Sequence, residues 1–349
     1  MYRKYLQNLL ISLIFVIGIR NLLFYSSDNK ISTTVETKQV RPPDDNIHQN
    51  IIIMSSLSSS IEEGSIRIRW LPSPDQTWAH AVSSQAELRA ALEDATITAI
   101  ETDLLMGKCT TSASASSTSS IPIMAHPPDR ESDLSMTQFW DIVSTENLKG
   151  IHKVIKLDFK ELETVEPTLK EIVQRRIATI KSTAIFLNAD ILPGPGRREP
   201  KDVTIPARQF LDTCLKYIGP SAKKTASENN NLTTRFSLSL GFKADCMGSN
   251  GYTQEDMQTM SQWMIDYQLE EKGIGVVLAL NARQLSKSLS SLDSIMKQFP
   301  HLGILAWTGK GEPPISRTSV QLIQDHFERL NMSHRIGFDC QVSQNLVEL

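Results

Sequence analysis

Eight strand-like apolar runs recur between Trp78 and Asp339, separated by amphipathic stretches. They are Trp78–Val82, Ala99–Leu105, Lys153–Phe159, Ala184–Ala189, Arg235–Gly241, Ile274–Leu280, Gly303–Trp307 and Arg335–Asp339. Strands alternating with helices demand crossover connections, and eight such units over roughly 275 residues match a (β/α)8 TIM barrel, whose usual size is about 250 residues. An open doubly wound sheet is the alternative, but no glycine-rich phosphate loop follows the first run.

The intervening stretches carry helix start signals. Ser84 with Glu87 and Ser135 with Gln138 are capping-box spacings, and Thr253 with Asp256 opens a third helix. The apolar residues that follow, such as Leu88, Phe139, Trp140, Met257 and Met260, recur at helical spacing. They are assigned to core packing against the sheet. The Ser/Thr-rich run from Cys109 to Ser120 interrupts the pattern just after the second strand and reads as a mobile insertion.

Ahead of the barrel, Arg3 and Lys4 precede the apolar stretch Leu9–Ile19, with Arg20 and a second apolar patch at Leu22–Tyr25. Residues 1–25 therefore read as a signal peptide or as a signal anchor spanning a bilayer. Residues 26–65, rich in Ser, Asp, Asn and Thr, read as a flexible linker, and residues 66–349 as the barrel domain. Either reading of the N-terminus sends the remainder into the secretory pathway, as a secreted or a single-pass membrane protein. Two N-x-S/T sequons, at Asn231 and Asn331, agree with glycosylation there. In that compartment the four widely spaced cysteines, Cys109, Cys214, Cys246 and Cys340, lead us to expect at least one disulfide. The net charge of -3 with no basic stripe gives no support to a nucleic-acid partner.

In a barrel, catalytic groups sit at the C-terminal strand ends and the loops after them. Those positions hold His80 on strand one, Glu101 and Asp103 on strand two, and His126 on the returning loop. Strand three ends Lys156-Leu157-Asp158-Phe159-Lys160, strand four ends Asn188-Ala189-Asp190, strand five ends at Lys243 and strand seven at Trp307. Residues i and i+2 of a strand share a face, so Glu101 and Asp103 repel unless a cation joins them. Singly, each feature has a plain explanation in a solvated face, a cap or a packing residue. Together, three carboxylates, two histidines and a lysine at one barrel mouth imply phosphodiester cleavage. Glu101, Asp103 and Asp158 would hold Mg²⁺ or Ca²⁺, one histidine would act as nucleophile or general base and the other as general acid, and Lys160 would stabilise the transition state. Glycoside hydrolysis also uses paired carboxylates, but leaves the histidines and the lysine without work.

The stretch Ile100-Glu101-Thr102-Asp103, with the return Pro122-Ile123-Met124-Ala125-His126, resembles the second-strand signature of glycerophosphodiester phosphodiesterases. Asp158-Phe159-Lys160 resembles the D-x-K strand of the related phospholipase D toxins. More specifically, Trp78–Val82, Pro122–Pro128 and Lys156–Lys160 resemble the menorin family, and the likeness covers most of the chain after about residue 66. The resemblance implies a phospholipase-C-like phosphodiesterase barrel. Within it His80 and His126 form the acid/base pair with Lys160, and Glu101, Asp103 and Asp158 hold the metal. Lys160 and Trp307 would contact the phosphate and head group, and the strand-end residues Lys156, Asn188 and Lys243 are further candidates for binding a phosphodiester or phospholipid head group. The chain departs from the enzyme pattern where Ala81 and Val82 follow His80 in place of Arg-Gly, where Ser83-Ser84-Gln85 replaces an asparagine-bearing loop, and where Pro127 follows His126. Two functions are expected from this: a metal-dependent phosphodiesterase of the lumen or cell exterior, or a catalytically weak barrel that binds cell-surface receptor proteins.

Overall fold

Period-two alternation along each apolar run turns one set of side chains toward the barrel axis and the other toward the surrounding helices. A computed structural model of the chain describes residues 72–111, 120–175, 184–197, 199, 203–219, 236–245 and 247–343. All fall within the compact unit Ser65–Leu349. Eight parallel strands form a nearly closed barrel: β1 (Trp78–Ala79), β2 (Ala99–Cys109), β5 (Val154–Phe159), β6 (Ile185–Pro193), β7 (Phe236–Lys243), β8 (Gly275–Asn281), β9 (Gly303–Trp307) and β10 (Ile336–Asp339). Each corresponds to one of the eight runs read from the sequence.

Two further strands were not anticipated. β3 (Ile121–Met124) folds back antiparallel on β2, pairing Leu104 with Met124 and Gly107 with Ile121, and β4 (Glu131–Ser132) lies beside the end of β2. This hairpin carries β2 past Leu105 to Cys109, above the barrel rim. The Ser/Thr run at its tip lies mostly outside the described residues.

The helices are α1 (Gln85–Glu93), α2 (Met136–Leu148), α3 (Val165–Gln174), α4 (Ala207–Ile218), α5 (Gln254–Asp266), α6 (Ala282–Leu285), α7 (Asp293–Gln298) and α8 (Arg317–Arg329). The capping boxes at Ser84, Ser135 and Thr253 are all formed, each satisfying backbone donors that a helix start leaves open. Leu88, Phe139, Trp140, Met257 and Met260 are buried between helices and sheet, as their spacing requires.

Inside the barrel, Trp78, Val154, Phe186, Val277 and Leu305 form a separate apolar plug. The rings of Trp78 and Phe186 lie 6.4 Å apart. Two residues further along, past the plug, come His80, Lys156, Asn188 and Trp307, so the interior gains polar and charged groups toward the C-terminal ends. No ladder joins β1 to β10 among the described residues. At that seam Gly337 matters for its missing side chain, because a Cβ there would meet Pro72 at 2.6 Å.

Among the described residues the expected disulfide is not formed, and Cys109, Cys214 and Cys340 are free thiols. They sit on β2, on α4 and after β10, elements that the fold keeps apart, and Cys246 lies outside the described residues. The same holds for residues 1–25, the linker at 26–65 and Asn231. Among the described residues no helix is long and apolar enough to cross a membrane. Asn331 is exposed and takes a left-handed φ of 58° just past the end of α8.

Candidate functional site

One pocket of about 210 Å³ at the C-terminal mouth is lined by every residue the sequence assigned to catalysis, metal or substrate: His80, Glu101, Asp103, His126, Lys156, Asp158, Lys160, Asn188, Lys243 and Trp307. β2 and β5 pair in register, so Glu101 stands beside Lys156 and Asp103 beside Asp158. Glu101, Asp103 and Asp158 each offer a carboxylate oxygen, and these atoms lie within 4.8 Å of one another. Glu101 is 1% exposed and Asp103 4%. Burial, and then the charge of Asp103, push the Glu101 carboxyl up to about 7. Negative charge at this point is thus incompletely compensated, and oxygen donors around such a deficit suit a hard divalent cation.

The cations already present are lysines. Lys160 Nζ lies 2.8 Å from Asp103 Oδ1 and 2.7 Å from Asp158 Oδ2. Burial opposes its charge, but Asp158, Asp103 and Glu101 hold it well above the ordinary lysine value. Lys156 is 2% exposed, with Nζ 3.8 Å from Asp339. Its charge also survives burial, sustained by Glu101, Asp339 and Asp158. Asp158 remains below the usual carboxylate range in spite of burial, because Lys160 and Lys156 outweigh it.

Asn188 serves mainly to orient a carboxylate. Its Nδ2 donates to Asp158 Oδ1 at 2.7 Å, and its Oδ1 accepts from Ser239 at 2.6 Å. Lys243 is exposed at the rim, and Trp307 is half-buried there.

The two histidines are held differently. His80 Nδ1 lies 2.9 Å from Asp339 Oδ2 and 3.6 Å from Glu101 Oε2. Burial lowers its pKa, but the bond to Asp339 and the charge of Glu101 prevail and raise it to about 9. His126 is exposed, and its Nδ1 donates to the Pro127 carbonyl 2.7 Å away. In both rings Nδ1 is occupied and Nε2 is the remaining nitrogen. Ala81, next to His80, takes φ 55° and donates its N–H to Glu101 Oε2 at 2.6 Å. A left-handed alanine is uncommon and costs about 1–2 kcal/mol. Here it lets one backbone turn both aim His80 and anchor Glu101.

Sequence reading assigned no role to Asp339 or Asp190. Asp339 ends the last strand, a position that the strand-end rule points to directly. Asp190 lines the same pocket, and burial followed by the charge of Asp158 pushes its carboxyl up to about 6. Gly241 on the neighbouring strand makes room for it, since a Cβ there would come within 2.3 Å of Asp190 Oδ1.

The model of the Menorin N-terminal domain family matches residues 75–336. Protein FAM151B of Homo sapiens is 30% identical over 262 residues, which is 74% of this chain and 82% of that protein. No solved structure matches the chain.

Proposed function

The chain belongs to the menorin family, and from that premise and the pocket's geometry we propose that it is a metal-dependent phosphodiesterase acting on a glycerophosphodiester or lysophospholipid type of head group. The observation that carries this reading is the convergence of Glu101, Asp103 and Asp158 with His80, His126 and Lys160 in one pocket. Mg²⁺ or Ca²⁺ held by the three carboxylates would supply the Lewis acidity that offsets charge on a phosphoryl oxygen. Nε2 of one histidine takes a proton from the attacking group or attacks directly, and Nε2 of the other gives a proton to the leaving oxygen. Asp339 keeps the His80 ring in a single tautomer and orientation for either role. Lys156 and Lys160 add positive charge around the phosphoryl group, in surroundings dry enough to strengthen it. Lys243 and Trp307 at the rim would meet the head group.

The pocket is small and lined mostly by polar and charged side chains, with Ala244 and Trp307 among the apolar ones. That favours a head group entering while any acyl chain stays outside. We propose further that the basic and apolar residues 1–25 bring the barrel to the lumen or cell exterior, where the exposed Asn331 is open to glycosylation.

The test is hydrolysis of a phosphodiester panel by the purified protein with Mg²⁺ or Ca²⁺, with and without EDTA. Turnover that EDTA and His126→Ala both abolish is the expected result. A panel on which the protein never exceeds the His126→Ala control refutes the enzymatic reading.

A further inference from the structure

Lys160 stands among the carboxylates that a metal would use. Its ammonium bridges Asp103 Oδ1 at 2.8 Å and Asp158 Oδ2 at 2.7 Å. Both residues belong to the group of three whose oxygens converge within 4.8 Å. Separations this short are charge-assisted hydrogen bonds. The site therefore carries a cation of its own, covalently tethered to β5.

A divalent ion binds carboxylate oxygens at about 2.0–2.6 Å. It cannot take the same oxygens while the ammonium remains on them, because two cations a few ångströms apart repel strongly where solvent screening is weak. Lys160 also has somewhere to go. Phe159 is the last residue of β5, so Lys160 starts the following loop, and its side chain is 26% exposed and borders the pocket. Lys156 has no such freedom, its side chain being only 3% exposed.

We propose that Lys160 is a resident counter-cation which a divalent metal displaces, and that the displaced ammonium then engages the anionic group of the ligand. This rests on the metal-site reading above and adds a consequence to it. While Lys160 is bonded to Asp103 and Asp158, its charge is spent and the pocket holds an anion weakly. Once those carboxylates are neutralised by a metal, the charge is available, so metal and anion binding reinforce one another. Linkage makes the reinforcement reciprocal.

The experiment is isothermal titration calorimetry on the full chain with Mg²⁺ alone, then with inorganic phosphate at zero and at saturating Mg²⁺, comparing wild type with Lys160→Met. Expected is Mg²⁺ affinity at least about tenfold higher in the variant, which has nothing to displace, a change of the size typical for site coupling. Wild type should gain about tenfold in phosphate affinity on saturation with Mg²⁺, and the variant markedly less. The second comparison separates displacement from a simple gain in negative charge, which would tighten metal binding yet leave the phosphate coupling intact. Equal or weaker Mg²⁺ binding by the variant, or coupling as large as in wild type, overturns the proposal while the metal site stands. No Mg²⁺ binding by either protein overturns the metal site itself and the proposal with it. Lys160→Gln repeats every comparison if Lys160→Met does not fold by circular dichroism.

Discussion

His80 and Asp339 are 259 residues apart in the chain and 2.9 Å apart in the barrel, where their side chains join the two strands that no backbone ladder connects. The bond therefore orients a candidate acid/base residue and spans the seam that the ladders of the described residues leave open.

Replacing Asp339 with Asn should lower the His80 pKa from about 9 toward its ordinary value. NMR titration of the imidazole in metal-free protein reads this directly. The stability effect has a definite sign. His80 binds its proton more tightly folded than unfolded, so the stabilisation is complete below about pH 6.5 and lost as pH rises through about 9. The stability gap between wild type and Asp339→Asn should accordingly be widest in mild acid and narrow toward pH 9. A gap that grows with pH would contradict the pairing.

Asp190 should behave in the opposite sense. Its carboxyl is raised to about 6 by burial and by Asp158, so ionising it costs the folded state free energy. That cost is absent below the unfolded value near 3.8 and complete above about 6. Asp190→Asn should stabilise the protein by about 2 kcal/mol at neutral pH and by nothing near pH 3.5. Urea denaturation at the two pH values, with EDTA present, checks both halves.

Ala81 holds a conformation that glycine adopts without strain. Ala81→Gly should leave stability unchanged or raise it by up to about 1 kcal/mol, the relief being partly offset by the greater freedom of glycine in the unfolded chain. Ala81→Val, β-branched at positive φ, should cost about 2 kcal/mol or more. Thermal denaturation of the two variants should move in these different directions.

Arg335 is 3% exposed and donates to three carbonyls: Leu302 at 2.8 Å, Met296 at 3.1 Å and Phe299 at 2.6 Å. It thereby ties the end of α7 and the approach to β9 to the start of β10. Arg335→Met keeps much of the apolar stem but strands those acceptors, and should cost about 3 kcal/mol or more in chemical denaturation.

All eight barrel strands and three helix starts could be read from the sequence because they rest on local rules. Apolar runs such as Ile274–Leu280 need only a length and a boundary, and Ser84 with Glu87 needs only a spacing. The site was readable to the same depth, since strand ends of a barrel converge by topology. The β3 hairpin was not, because Ile121–Met124 is short, contains Pro122 and pairs in part with Met106 and Gly107, which lie beyond the apolar run Ala99–Leu105. Asp339 was within reach of the strand-end rule, but its bond to His80 was not, because the two residues are 259 apart in the chain. The sequence put Lys160 at the mouth beside Asp158, but its bond to Asp103 was not readable, because Asp103 comes from the neighbouring strand and only the β2–β5 register brings the three together. The disulfide was misread because cysteine number carries no information about distance.

The seam gives the pocket a calendar. Strands emerge from the ribosome in sequence order, so β1 with His80 is made first and β10 with Asp339 last. Glu101, Asp103 and Asp158 can meet once the early strands have paired, and Glu101 then lies 3.6 Å from His80, yet the closer 2.9 Å bond to Asp339 forms only when the final strand docks. A nascent or clipped chain lacking β10 would thus carry the three carboxylates without the Asp339 bond that orients His80. The site is completed by the same event that finishes the barrel.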